Sequence, residues 1–358
     1  MAMASIDAIA NSDTAPPLCL SWIASGWYRC SDGCDLAVSD TVAEIETRGL
    51  SRVNRPWRPH SPVVLIAGTP AGGGQDRVAR ALATSLAPLL GVPIDVVNVP
   101  GRGGANGWDR LAGATKDSNL LSISSPTLIT NRMVGAADID HRSLTPIALL
   151  CTEHLAFAVA DGSSIIDGTD LIGRLRSNDM LVTAFATAVG NINHMALARL
   201  ASIAGGDPAS LKTRVFDSAP EAVADLLIGN SDLAVVSAAS VVNEVEGGLV
   251  RLVAVSSPVR LEGSLQTVPT WDEQAVPCTL GTWRGVVAPP GLTVDLIRNW
   301  EQAIMAATGS DEWRASLERH LWTPTILGSA ATSAFHDQQA GVLSAALTDL
   351  GLVSAAHG

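Results

Sequence analysis

A hydrophobic run, VVLIAG from Val63 to Gly68, passes through the glycine-rich turn TPAGGG straight into a segment of helical periodicity, QDRVARAL, ending at Leu82. Strand, glycine turn and helix in that order commit the chain to an α/β unit whose helix starts at the carboxyl end of a strand. Val78, Ala81, Leu82, Ser85 and Leu89 recur at helical spacing, and Asp76 is placed to be an N-cap or first-turn acid. The first N–H groups of a helix lack intrahelical partners, and the aligned peptide dipoles put roughly half a positive charge there. Gly72, Gly73 and Gly74 leave that backbone bare enough for a carboxylate or phosphate to approach, which makes the turn an anion pocket. A purely structural turn of the kind common in α/β proteins is the other reading.

The nucleotide versions of such a turn fail on residue type. A phosphate-binding P-loop needs Gly-Lys-Ser/Thr at the helix start, where this chain has Gln75-Asp76. A dinucleotide fingerprint needs a last glycine where the run Gly101-Arg-Gly103-Gly-Ala has Asn106. What remains is a small anion gripped mainly by backbone. The net charge of -12 argues against nucleic acid, though a local cluster of amides can bind an anion on an acidic protein. Of the 23 basic residues, two are lysine, Lys116 and Lys212, which reads as codon bias.

The 358 residues suffice for two domains with substantial cores, and no apolar run reaches the roughly 18 to 20 residues that span a bilayer. Cysteines 19, 30, 34, 151 and 278 are odd in number, and nothing completes a tetrahedral metal site around Cys30 and Cys34. Asp7, Asp13, Pro16 and Pro17 interrupt the region where a secretory signal would need an apolar stretch, and no lipobox precedes a cysteine.

From Val63 onward, β-branched runs at 94–99, 120–125, 155–160, 180–186, 233–238, 251–257 and 284–289 alternate with helical segments. Strands apolar on both faces and separated by helices predict a parallel sheet covered on both sides, in numbers that call for two α/β lobes. Ligand-binding loops are then those that follow strands. Residues 1–54 lack sustained periodicity apart from a Thr41-x-x-Glu44 capping box before Ile45, and form an extension; 55–62 is a proline-stiffened lead into the first strand.

Several segments in series carry a resemblance. AGGGQDRVARALA (71–83) resembles the PGGGTD-x-x-AR loop and helix of the tripartite tricarboxylate transporter solute receptors, the TctC-like or Bug family. VVNVPGRGGANG (96–107) is similar to the family's N-x-PG-x-GG strand end. LTPIALL (144–150), SAPEAVADLLIGNSDLAV (218–235), VPTWDEQ and TWRGVVAPPG follow in the family's order, so that the likeness covers Val63 to Val353. It implies a type II periplasmic-binding-protein fold, two α/β lobes joined by a strand hinge with the ligand cleft between them. The first lobe would be 55–158 with 257–358, the second 159–256. It implies a non-catalytic receptor, with no cofactor and no metal, that takes a small carboxylate to a membrane permease from outside the cytoplasm, in the periplasm or at the cell surface.

Carried over by motif, the first-lobe candidates are Ala71, Gly72, Gly73, Gln75, Gly103 and Gly104, with Gln75 in place of the family's threonine and Ala71 in place of its proline. Thr127 and Asn131 follow the third strand and are either cleft residues or cap and turn residues. In the second lobe, Gly190 and Asn191 would expose a second set of amides. His194 is a ligand contact or a packed helix residue, Asp217 suits a ligand amine or hydroxyl or is an exposed acid, and Ser237 takes a place where receptors have aspartate or asparagine. Arg284, of the WRG run, either pairs with an acid inside the first lobe or meets the ligand.

The rival is a cytoplasmic enzyme or ligand sensor that reuses the receptor fold, with Cys278 or Cys151 as nucleophile and His194 or His154 as base. No H-E-x-x-H, G-x-S-x-G or spaced carboxylate pair supports it.

Overall fold

The strand–turn–helix read at Val63 forms as β1 (Val63–Ala67) and α1 (Gly74–Leu90) in the computed structural model, which describes residues 57–177, 181–186, 188–349 and 351–353. The extension at 1–54, with Cys19, Cys30, Cys34 and the Thr41–Glu44 box, lies outside the described residues. Helix α1 ends where Gly91 takes a left-handed conformation, φ 68°, and returns its N–H to Ala87. The chain continues through β2 (Ile94–Asn98), α2 (Ala105–Gly113), β3 (Leu120–Ser124) and α3 (Thr127–Met133) into the long strand β4 (Thr145–Ala160). Then come α4 (Gly168–Arg176), β5 (Val182–Ala186), α5 (Ile192–Ile203), β6 (Lys212–Phe216), α6 (Ala219–Leu227), β7 (Leu233–Ser237), α7 (Val242–Glu246) and β8 (Val250–Val255). The chain closes with β9 (Gly281–Ala288), α8 (Val294–Thr308), α9 (Asp311–Arg319), β10 (Thr323–Leu327) and α10 (Ser329–Asp349).

Strand order is β2-β1-β3-β9-β4-β7-β5-β6, with β8 and β10 also on β4. Strands β1, β2 and β3 are mutually parallel, as are β5, β6 and β7. The wholly parallel sheet expected from the apolar runs is corrected: β9 runs antiparallel to β3 and β4, and β4 antiparallel to β7, β8 and β10. The reason is β4. LAFAVA, the segment legible as a strand, is the second part of a 16-residue strand. Up to His154 it pairs with β9 and β10; from Leu155 to Ala160 it pairs with β7 and β8. One strand thus belongs to two half-sheets.

The chain crosses back beside that change of partner. Buried Ser256 donates its N–H to Leu155 O at 2.9 Å, accepts the Leu155 N–H on its hydroxyl at 2.9 Å, and donates that hydroxyl to Leu280 O at 2.5 Å. Each half-sheet has helices on both faces. In the first, α1, α8 and α9 bury Trp300 and Trp313 against β1 and β4, and Trp108 of α2 fills the opposite face. One apolar cluster runs through both halves, from Leu149 and Trp283 through Phe157 and Trp271 to Leu197, with Leu343 and Leu347 of α10 packed on it. The fully buried tryptophans are the largest side chains in these cores, and truncating one costs roughly 3–5 kcal/mol.

Candidate functional site

The loops after β1, β3, β5, β6 and β7 converge on one cleft, beyond the carboxyl ends of both parallel strand sets. It has about 610 Å³ of empty space, counted out to where it opens into solvent. From the first half come Gly73, Gly74, Gln75 and Arg77, then Ser125 and Thr127, then Glu153 and Arg284 on neighbouring strands. The second half contributes Asn191, Asn193, Asp217, Ser218, Ser237 and Ser240.

Helix α1 begins at this cleft. The turn before it is held by its own side chains and backbone: Gly72 N–H donates to Asp76 Oδ2 at 2.8 Å, Asp76 N–H to Thr69 Oγ1 at 3.3 Å, and Gly73 N–H to the Pro70 carbonyl at 3.0 Å. Burial alone would raise the Asp76 carboxyl; bonds from Arg80, the Gly72 amide and Asn98 outweigh it and hold it below the usual aspartate value. Gln75 accepts the Gly68 N–H at 2.9 Å and reaches Ser125 Oγ at 3.4 Å, which fixes the turn to the loop after β3. The N–H groups of Gly74 and Gln75, at the first two helical positions, have no acceptor among the described residues.

Charge is concentrated beside them. Arg284 Nη2 donates to Glu153 Oε2 at 2.6 Å, and Glu153 is 1 % exposed. Burial pushes the Glu153 carboxyl up, but the guanidiniums of Arg284 and Arg77 pull harder and leave it below the ordinary glutamate value. A Cβ at Gly74 would run into Arg284 Nη2 and stand 3.0 Å from Glu153 Oε2, so this ion pair lies directly against the first turn of α1. Arg77, one turn on, donates to Gly72 O at 2.6 Å and across the cleft to Ser240 Oγ at 2.8 Å. The Arg77 and Arg284 Nε groups, Glu153 Oε1 and Ser237 Oγ are buried without a hydrogen-bond partner among the described residues. Two guanidiniums against one carboxylate leave one positive charge on this wall.

The second half answers with neutral groups, apart from the exposed Asp217. Asn191 caps α5 by accepting the His194 N–H at 2.9 Å and donates its amide to Ala186 O. Asn193 donates to Ala186 O at 3.1 Å and Val235 O at 3.0 Å. Ser218 stands at the N-cap position of α6 in the same wall, with no side-chain bond to the helix N–H groups, and donates to Glu221 Oε1 at 3.0 Å.

Of the residues singled out by sequence, Gly73, Gly74, Gln75, Thr127, Asn191, Asp217, Ser237 and Arg284 line the cleft. The others stand behind it. Ala71 is exposed in the turn, Gly72 has its amide bound to Asp76, and Gly104 donates to Gly101 O at 3.0 Å. Gly103 O accepts Thr127 Oγ1 at 2.7 Å, and Asn131 donates to Arg102 O at 2.7 Å. Gly190, φ 76°, donates its N–H to His194 Nδ1 at 3.1 Å, while the His194 ring stacks on Phe185 and burial lowers its pKa. Arg77 and Glu153 were missed. The available signal was a lone carboxylate inside the apolar strand LLCTEHLAFAVA and an arginine on the cleft side of α1.

The thiols proposed for a nucleophile are poorly suited to it. Burial pushes the Cys151 thiol well above its ordinary value and the Cys278 thiol to about 12, whereas a nucleophilic cysteine needs a lowered one. Buried His154, pushed down to about 4, bonds Thr323 Oγ1 at 2.9 Å. Among the described residues, no three His, Cys, Asp or Glu side chains are grouped to hold a metal ion.

Residues 78–349 match the family model for the tripartite tricarboxylate transporter family receptor. Protein BugT of Bordetella pertussis is 28 % identical over 261 residues, 71 % of this chain and 78 % of BugT. The solved periplasmic binding protein BugD superposes with a TM-score of 0.75 at 22 % identity, covering 82 % of this chain and 99 % of BugD. MatC from Rhodopseudomonas palustris, solved with bound malate, gives 0.71 at 21 % identity over 81 % of this chain and 99 % of MatC. Matched by that model over most of its length, and folded as the solved periplasmic binding proteins are, the chain belongs to the tripartite tricarboxylate transporter receptor family.

Proposed function

We propose that this receptor captures a small mono- or dicarboxylate in the cleft and hands it, chemically unchanged, to the membrane permease of a tripartite transporter. The observation that carries the reading is the convergence of the Arg77 guanidinium and the unpaired Gly74 and Gln75 N–H groups at the start of α1. A cation and helix-terminal amides together suit a carboxylate and need no reacting group. The malate in MatC supports the same ligand class.

In this reading Gly73, Gln75, Thr127, Asn191, Asp217 and Ser237 meet the ligand, and Ala71, Gly72, Gly103, Gly104, Asn131, Gly190 and His194 shape the loops that do. The first lobe is 55–158 with 257–358 and the second 159–256; they close about the crossing at Leu155 and Ser256. The protein works outside the cytoplasm, where a transporter's receptor meets its solute. No helix of the described residues is long and apolar enough to cross a membrane.

A carboxylate library screened by thermal denaturation tests this. A ligand at about 100 times its Kd stabilises the fold by about 2.7 kcal/mol, several degrees in Tm. No shift with any acid, or a hit consumed with turnover, would overturn the proposal.

A further inference from the structure

The ion pair beside the anion site has one free acceptor. Glu153 gives Oε2 to Arg284, while Oε1 is buried, without a partner among the described residues, in a side chain that lines the cleft. A carboxylate oxygen can accept more than one hydrogen bond, and leaving one buried without any is costly. Its neighbour Arg77 contributes a charge but, among the described residues, no hydrogen bond to it: Arg77 donates to Gly72 O and Ser240 Oγ. Oε2 lies 3.0 Å from where a Cβ of Gly74 would stand, so a ligand carboxylate on the Gly74 and Gln75 amides sits within a few bonds' reach of Glu153.

A bare second carboxylate at that point would face a like charge. An ammonium would satisfy Oε1 but crowd two guanidiniums, Arg77 and Arg284, already acting on the same carboxyl. A neutral donor fits both constraints. We propose that Glu153 is a specificity-determining residue, accepting on Oε1 a hydrogen bond from a hydroxyl next to the bound carboxylate, so that the receptor selects hydroxy acids over the unsubstituted acids. This rests on the receptor reading above and narrows its ligand.

The test is calorimetric binding of matched pairs, lactate against propionate and malate against succinate, to the full chain. A site built around a buried acceptor discriminates strongly against an analogue lacking the donor, so the hydroxy acid of whichever pair binds should be at least about tenfold tighter. In Glu153→Leu/Arg284→Met, which removes both members of the ion pair, the ratio should fall to within about twofold while Arg77 and the α1 amides still hold the carboxylate. Glu153→Gln, closest in shape, replaces a charged acceptor by a neutral one and should lower the ratio at least threefold. Equal wild-type affinity within the pairs, a ratio that survives in the folded variants, or tightest binding by aspartate or alanine would overturn the assignment. Failure of all these acids to bind would overturn this inference, while the receptor reading stands or falls with the wider carboxylate library.

Discussion

The two halves present the same local device to the cleft, a strand, a glycine-containing turn and a helix N-terminus, and equip it in opposite ways. Before α1 the turn is rigidified by a carboxylate, Asp76, and the exposed amides are backed by Arg77, Glu153 and Arg284. Before α5 the cap is the neutral Asn191, and the neighbouring cleft groups are Asn193, Ser218 and Ser237, with exposed Asp217 at the edge. An anion placed between them gains Coulomb energy from one wall and hydrogen bonds from the other. If the cleft takes a carboxylate as proposed, charge recognition belongs to the first half, and the second completes the enclosure. The Arg77–Ser240 bond is the direct link between the two walls.

That division is easiest to break at Arg77. Arg77→Met keeps the aliphatic stem and removes the uncompensated cation, so carboxylate affinity should fall by about 100-fold, about 2.7 kcal/mol. Asn193→Ala on the facing wall removes a neutral side chain whose amide N–H groups already bond Ala186 O and Val235 O, and should cost ligand affinity about 1 kcal/mol or less. Titration calorimetry of the two variants decides it, and equal losses would erase the asymmetry.

How much of this was readable in advance differs between the elements. The glycine turn at Gly72–Gly74 and the strands that feed the cleft were legible, because backbone geometry and periodicity are local. The length of β4 was not. Its first part, TPIALLCTEH, is interrupted by Pro146, Glu153 and His154, and it is a strand because β9 and β10 flank it. Gly72 shows the limit of the local argument: the turn has the amides, yet the chain's own Asp76 occupies that one. For Arg284 the sequence left an ion pair or a ligand contact open; it pairs with Glu153 and also lines the cleft. The ionic cluster joins α1, β4 and β9, residues distant in sequence, and no spacing rule announces it.

A pair of glycine substitutions sharpens the contrast. Gly74→Ala forces a methyl into the Arg284–Glu153 pair at the binding wall, so roughly tenfold weaker binding should accompany a loss of about 1–2 kcal/mol in stability. Gly190 has φ 76°, and its Cβ would stand 2.7 Å from Val134 Cγ1, behind the second wall. Gly190→Ala should cost a similar 1–2 kcal/mol in denaturant unfolding with ligand affinity within about twofold of wild type. Weakened binding in folded Gly190→Ala would give the second half a larger share in recognition.

The smallest effect is electrostatic. His320 is pushed down to about 4, first by burial and then by the Arg77 charge, with Glu153 acting in the opposite sense. Because its folded pKa lies below the unfolded value, its neutral form favours folding above about pH 6.5, and that contribution is lost as pH falls toward 4. Arg77→Met should raise the His320 midpoint measured by NMR titration, whereas His194, lowered by burial alone, should not move. A His320 midpoint indifferent to Arg77 would separate the histidine from the charged wall.

The proposed function places the ligand carboxylate at the start of α1, under Arg77. The direct measurement is a crystal structure of the chain with the tightest binder among malate, succinate, lactate and propionate. Carboxylate oxygens should lie within about 3.2 Å of the Gly74 and Gln75 N–H nitrogens and of the Arg77 guanidinium. A carboxylate held by α5 or α6 alone, with Arg77 still bonded to Gly72 O and Ser240 and no ligand at the α1 terminus, would contradict it.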